Sequence, residues 1–168
     1  LFIGSVSVSA NTLLDTTDNG GTTGANITFR DDVTGSGTNS LTLNAGSAGD
    51  VSVEDANDEL GTVASPLNGL TISNANTVSF FDVNSSAGVT VTSGNGITID
   101  GAVTSTGSQT YYDDISLDGA TMLTAGANIS VQAIDNGEDL TLAATGTLTF
   151  NDDLGGTMPL SSLTASAT

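Results

Sequence analysis

The sequence predicts an all-β chain, and within that class a parallel β-solenoid (β-helix) of short strands with roughly 20 residues per coil. Three observations predict it. An apolar–Thr/Ser–apolar triplet recurs along the whole length, and alternation at period two marks a strand with one buried face. Several triplets are followed by a short turn, one further apolar residue and a glycine, as in "ITFRDDVTG" (27–35), "ITIDGAVTSTG" (97–107) and "LTFNDDLGG" (148–156). That order of strand, corner, half-strand and glycine suits a coil that repeats and stacks. No stretch sustains the i, i+3, i+4 apolar spacing of a helix.

Taken in order, the predicted strands are "ITF" (27–29), "LTL" (41–43), "VSV" (51–53), "LTI" (70–72), "VSF" (78–80), "VTV" (89–91), "ITI" (97–99), "ISL" (115–117), "ISV" (129–131), "LTL" (140–142) and "LTF" (148–150). In each, the outer two residues face a core and the Thr or Ser faces solvent. Tandem antiparallel β-sandwich domains, also built from short alternating strands, are the alternative. Their best hairpin candidates are "SGNGIT" (93–98) and "DNGEDLT" (135–141).

A longer repeat lies over the triplets. "SVSVSANTLLDT" (5–16) aligns with "DISLDGATMLTA" (114–125), "GANITF" (24–29) with "GANISV" (126–131), and "SLTLNAGSAGDVSV" (40–53) with 139–150. Finally "GTVASPLNGLTIS" (61–73) aligns with "GTMPLSSLTAS" (156–166). This divides the chain into a first unit, 1–113, and a truncated second unit, 114–168, within one continuous solenoid. The only two prolines, Pro66 and Pro159, close the two units. Each is expected to fix a corner where no backbone donor is needed. Leu67 and Leu160 should then turn inward, and Leu70 and Leu163 should start the next buried strand.

Composition narrows the function. One basic residue, Arg30, stands against 19 acids, for a net charge of −18. Such a chain lacks the cations that bind phosphate backbones or anionic lipid surfaces, so nucleic acid and membrane surfaces are excluded as partners. No apolar run reaches membrane-spanning length. There is no Cys and no His. Disulfides, thiolate metal sites and the usual nucleophile–base pairs are therefore absent, and no enzymatic activity is expected. Paired carboxylates could in principle cleave glycosides, but the chain has no Trp and one cation to hold a sugar acid. The chain begins at Leu1 without a visible signal peptide and is expected to be a mature or excised piece of a longer protein.

Candidate sites are few. "DD" at 31–32, 113–114 and 152–153 fits turn chemistry. The acidic loops "DTTDNGG" (15–21), "EDANDE" (54–59) and "DNGED" (135–139) carry the oxygen ligands a calcium ion would need. They do not recur at matched positions of the two units, and no cofactor is expected. "NIT" (26–28), "NSS" (84–86) and "NIS" (128–130) match the glycosylation acceptor pattern. Tyr111 and Tyr112 suit the edge of the core. Phe80 and Phe81 cannot both face inward on a regular strand, which leaves a bulge or an exposed contact.

The stretches "TGSQTYYDDISLDGATML" (106–123) and "LTFNDDLGGTMPLSSLTAS" (148–166) resemble the tandem β-strand repeats of very large bacterial hemagglutinin-like or adhesin-like exoproteins. Gln109, Thr110 and Tyr111 carry the opening of such a repeat, and Pro159 to Thr164 its close. The first unit departs from the pattern, because it lacks the Gln-Thr-Tyr opening. The resemblance implies secretion, a bacterial cell-surface or extracellular location, and a stalk, sheath or filament role. The expected function is therefore a structural repeat protein whose partners are copies of itself or adjacent units, joined by end-to-end β-stacking. The alternative is a surface adhesin module that binds a glycan or host surface.

Overall fold

The computed structural model describes residues 1–18 and 21–168. The chain winds as a three-faced parallel β-solenoid, visiting the faces in a fixed order. Face 1 stacks β1 (Val6–Ser7), β4 (Val33–Thr34), β7 (Glu59–Leu60), β10 (Asp82–Ser85), β13 (Ala102–Ser105), β16 (Thr121–Ala125), β19 (Asp139–Ala144) and β21 (Ser162–Ala167). Face 2 stacks β2 (Thr12–Asp15), β5 (Leu41–Asn44), β8 (Leu70–Asn74), β11 (Val89–Val91), β14 (Gln109–Tyr111), β17 (Ile129–Val131) and β20 (Leu148–Phe150). Face 3 stacks β3 (Ile27–Phe29), β6 (Val51–Val53), β9 (Val78–Phe80), β12 (Ile97–Ile99), β15 (Ile115–Leu117) and β18 (Ile134–Asp135). Phe2 extends face 3 at one end, by a bridge to Phe29, and Leu154 at the other, by a bridge to Ile134.

Among the described residues every strand pairing is parallel, for example Val89↔Leu70 and Val89↔Gln109. That excludes the antiparallel sandwich. Both hairpin candidates are corners between faces instead. In the second, Asn136 and Gly137 adopt φ of 105° and 75° to make the turn.

All eleven predicted triplets are strands. The first and third residues point inward, and the middle Thr or Ser is partly covered by the neighbouring coils in most of them, as in Val89, Thr90 and Val91 of β11; Thr28 of β3 is buried, and Thr149 and Phe150 of β20 are exposed. Leu, Ile and Val from all three faces fill one continuous core. A lone coil would leave these side chains open above and below, so stability comes from stacking.

The predicted coil length holds in the later part, where Leu70, Val89, Gln109, Ile129 and Leu148 stack on face 2. Hydrogen bonds between neighbouring coils there mostly span 19 or 20 residues, as from Asn136 to Leu117 and from Ser93 to Asp113. The first coils are longer. The Ser40 N–H reaches Asn11 across 29 residues, and Asn68 reaches Ser40 across 28. The extra residues leave at the corners, so the strands keep their stacking.

Corners are locked by short amides and carboxylates. Asn26, Asp50 and Asn128 each accept the backbone N–H of the next coil, from Asp50 at 3.0 Å, Thr77 at 3.2 Å and Thr147 at 2.8 Å. The "GAN" glycines permit close approach: a Cβ on Gly24 would lie 1.9 Å from the Ala45 carbonyl oxygen, and one on Gly126 2.3 Å from that of Thr106.

The segments aligned between the two units are displaced by one face. The strand containing Val6 is on face 1 and its match, Ile115, on face 3; Ile27 is on face 3 and Ile129 on face 2; Leu41 is on face 2 and Leu140 on face 1. Matched strands are 14 apart in chain order (β1 and β15, β3 and β17, β5 and β19). With three faces, 14 strands are four turns and two thirds of another. The two prolines follow the same rule. Pro66 precedes β8 on face 2, at the return of a loop where Leu67 bridges to Ser85, and Pro159 precedes β21 on face 1.

The inward turn holds for Leu67 and Leu70, at 0% and 1% exposure. It fails for Leu163, which is 46% exposed although paired with Leu140. Leu163 lies on the last strand, and no coil covers its far side.

Candidate functional site

The described residues hold one grouping of carboxylates close enough to share a cation: Asp31, Asp32 and Asp58 can bring one oxygen each within 4.8 Å of the others. The fold assembles them from two coils at the corner between faces 3 and 1. Asp31 and Asp32 follow β3, and Asp58 ends the loop between β6 and β7. Asp31 accepts the Asp32 backbone N–H at 2.8 Å, and Asp32 accepts that of Glu59 at 3.0 Å. Both carboxylates therefore already serve the backbone. Burial, followed by the charges of Asp55, Asp31 and Asp32, raises the pKa of Asp58 above its ordinary value. Burial, followed by Asp82 and Asp32, does the same for Glu59. Beside them a shallow depression is lined by Arg30, Glu54, Asp55, Asn57 and Asp58, with Arg30 ion-paired to Glu54. Oxygen ligands at this spacing suit a hard cation such as calcium.

The other two acidic loops commit carboxylates to hydrogen bonds within the fold. Asp15 accepts from the backbone N–H and hydroxyl of Thr17 at 2.8 and 2.6 Å; Asn19 and Gly20 of that loop lie outside the described residues. In the loop at 135–139, Asp135 accepts from the Thr157 N–H at 3.0 Å and Asp139 from the Ser162 hydroxyl at 2.7 Å. The three Asp-Asp pairs share one conformation. In each, the first carboxylate accepts the N–H of the second residue at 2.8 to 2.9 Å. Two of the acceptor-pattern asparagines, Asn26 and Asn128, are the corner locks described above, and Asn84 donates to Glu59 at 3.2 Å.

The aromatic pairs divide. Phe80 is buried, and Phe81 is partly buried in a groove along face 3 that also holds Glu54, Asp100 and Asp118. Tyr111 is fully buried, whereas Tyr112 is 60% exposed on face 2. The Tyr111 hydroxyl donates to Gln109 Oε1 at 3.1 Å. Gln109 Nε2 donates to the carbonyls of Val103 and Thr124 at 2.9 and 2.8 Å. The sequence motif Gln-Thr-Tyr is thus a satisfied polar link inside the core, joining β14 to β13 and β16.

The acids are unevenly spread. From β5 to β20 the strands of face 2 carry no charged residue, and their outward row is Thr42, Thr71, Thr90, Thr110, Ser130 and Thr149. Residues 1–14 and 154–168 contain no charged side chain either. Both ends of the solenoid expose apolar groups: Leu1, Ile3 and Leu13 at the first coil, Phe150 and Leu163 at the last. Compared with known protein families, curated proteins and solved structures, the chain matches none.

Proposed function

We propose that this chain is a structural element of a secreted bacterial stalk, sheath or filament, extended by end-to-end β-stacking, with no catalytic role. One observation supports the proposal: short parallel strands stack coil on coil along three faces around one continuous apolar core, which is the build of a rod. Each coil buries its apolar side chains only against neighbouring coils, and the open edge of a β-ladder accepts a further strand. Secretion and a surface location accord with the resemblance of the repeats and with the Lys-free, acidic composition. The partners are then copies of this chain or adjoining units. Electron microscopy of the concentrated protein tests this: unbranched fibres one solenoid wide are expected, and a sedimentation profile that stays monomeric at millimolar concentration refutes it.

The adhesin alternative is favoured by a separate feature, the flat uncharged hydroxyl row of face 2 with Tyr112 exposed beside it. It expects a neutral glycan on an array, with the signal lost in Tyr112→Ala.

A further inference from the structure

The corner between faces 3 and 1 is closed in the same way in successive coils. The residue after the triplet donates its backbone N–H to the third residue of the triplet one coil before: Glu54 to Phe29 at 3.1 Å, Asp100 to Phe80 at 3.2 Å and Asp118 to Ile99 at 3.0 Å. The pairs Ile115↔Ile134 and Ser116↔Asp135 set Asn136 opposite Leu117, so the next such donor would be the Gly137 N–H. A side chain takes its place instead. Asn136 Nδ2 donates to the Leu117 carbonyl at 2.8 Å. Among the described residues the Gly137 N–H then has no acceptor. The main chain is strained at this corner, with Asn136 at φ 105°, where residues other than glycine rarely sit.

We propose that Asn136 is a site of spontaneous deamidation, left open at this corner and closed at the other described Asn-Gly corners. The reaction needs an asparagine carboxamide, a following glycine with no Cβ to block the approach, and a backbone nitrogen free of hydrogen bonds. The Gly137 nitrogen bonds to Asn136 Cγ as its proton passes to water, and the former Nδ2 leaves as ammonia. Water then opens the cyclic imide at one carbonyl or the other, giving aspartate or isoaspartate. No further reactant is needed.

The other described Asn-Gly pairs are held. The Gly96 N–H donates to Asp113 Oδ2 at 2.8 Å, and Asn95 Nδ2 donates to Asn76 Oδ1 at 2.6 Å. A charge-assisted hydrogen bond on the attacking nitrogen has to open before it can react. Asn68 is pinned along its backbone: its N–H donates to the Asn39 carbonyl at 2.8 Å and its own carbonyl accepts the Ser85 hydroxyl at 3.1 Å. Its Nδ2 donates to Ser40 Oγ at 3.2 Å. The pair Asn19-Gly20 lies outside the described residues.

The product alters the corner. A carboxylate replaces the amide that the Leu117 carbonyl accepted, so that bond is lost, in a loop that already carries Asp135, Glu138 and Asp139. Isoaspartate also adds a methylene to the main chain. Aged molecules therefore hold β18 on β15 less tightly.

Peptide mapping by mass spectrometry tests this on the full chain, kept folded in mildly alkaline buffer and, in parallel, unfolded in urea; enzymatic methyl labelling counts isoaspartate. In urea the three pairs should convert at comparable rates. Folding should slow Asn95 and Asn68 about tenfold or more, and should change Asn136 by less than about threefold. Slowing at Asn136 equal to that at Asn95, or faster conversion at Asn68 in the folded chain, overturns the proposal. Asn136→Gly, which suits the positive φ, should fold and give no isoaspartate at this corner. Asn136→Asp should lower hydrogen-exchange protection in β15 and β18 about tenfold; unchanged protection would overturn the effect assigned to the product.

Discussion

Replacing Tyr111 by Phe removes one hydroxyl from a site where both partners are inaccessible to solvent. The ring keeps its place, so no cavity of consequence opens. What is lost is the donor to Gln109 Oε1, the hydrogen bond at 3.1 Å. A buried acceptor left without its partner costs about 1–3 kcal/mol. Gln109→Leu should cost more, because it strands the tyrosine hydroxyl and removes both amide bonds to the carbonyls of Val103 and Thr124. In the double variant the hydroxyl is no longer there to strand, so the two losses should overlap by about 1 kcal/mol or more. Coils of a repeat protein contact chiefly their neighbours, so the effect should be local. Native-state hydrogen exchange then reads it directly: amide protection in β11, β14 and β17 should fall about tenfold in Tyr111→Phe, the equivalent of about 1.4 kcal/mol, while β2 and β5 are unaffected. Losses additive to within about 0.3 kcal/mol would show that the link is a bystander, and a uniform fall along the rod would refute nearest-neighbour stacking.

Leu43, fully buried on face 2, should lose about 2–5 kcal/mol on substitution by Ala, measured by urea unfolding. Gly24→Ala drives a methyl group into the Ala45 carbonyl and should lower the melting midpoint, whereas Ala→Gly at the adjacent exposed Ala25 should change it little. Burial raises the Tyr111 phenol far above its ordinary value; the native state then favours the protonated form, so stability is full below the ordinary phenol range and declines as pH rises through it. Alkaline difference spectra should show one of the two tyrosines ionising only with unfolding. Asp58 and Glu59 are raised while Asp50 is lowered, chiefly by its hydrogen bonds from Asn76 and then Thr77. Mild acid should therefore stabilise the fold as the first two take up protons, and stronger acid should destabilise it as Asp50 protonates; Asp58→Asn should raise the neutral-pH melting midpoint and flatten the first limb.

Most of the fold was legible because one triplet does two jobs. In "VTV" or "ITI" the alternation fixes both the strand and the inward pair, and chain spacing of about twenty fixes the coil. Face 1 was harder to read in the early coils, where β4 and β7 are two residues long and show no triplet. The long first coils were hidden for a related reason: loops that leave at corners do not disturb the stacked register, so their length has no signature in the strands. The acidic grouping combines an Asp-Asp pair with an aspartate one coil away. The usable signal was the separation of Asp32 and Glu59 by 27 residues, the same step as from Val6 to Val33 on face 1. Gln109 and Tyr111 were visible as a motif, yet their place in a triplet already assigns both to the interior. A glutamine there requires a polar partner, and its neighbour two residues on provides one.

The displacement of the two units by one face has a consequence for how a rod of such sequence presents itself. A unit of 14 strands on three faces regains its orientation only after three units. Groups at matched positions, such as the corner asparagines Asn26 and Asn128, therefore wind around the axis instead of forming a stripe along one side. A stripe of like charges would bend the rod and give it one repellent side. Winding places successive matched groups on different faces, farther apart than the roughly 8 Å over which charges act at physiological ionic strength. A unit of 14 strand positions rises about 22 Å, at a third of the roughly 4.8 Å strand spacing each, so the starting face returns after about 67 Å.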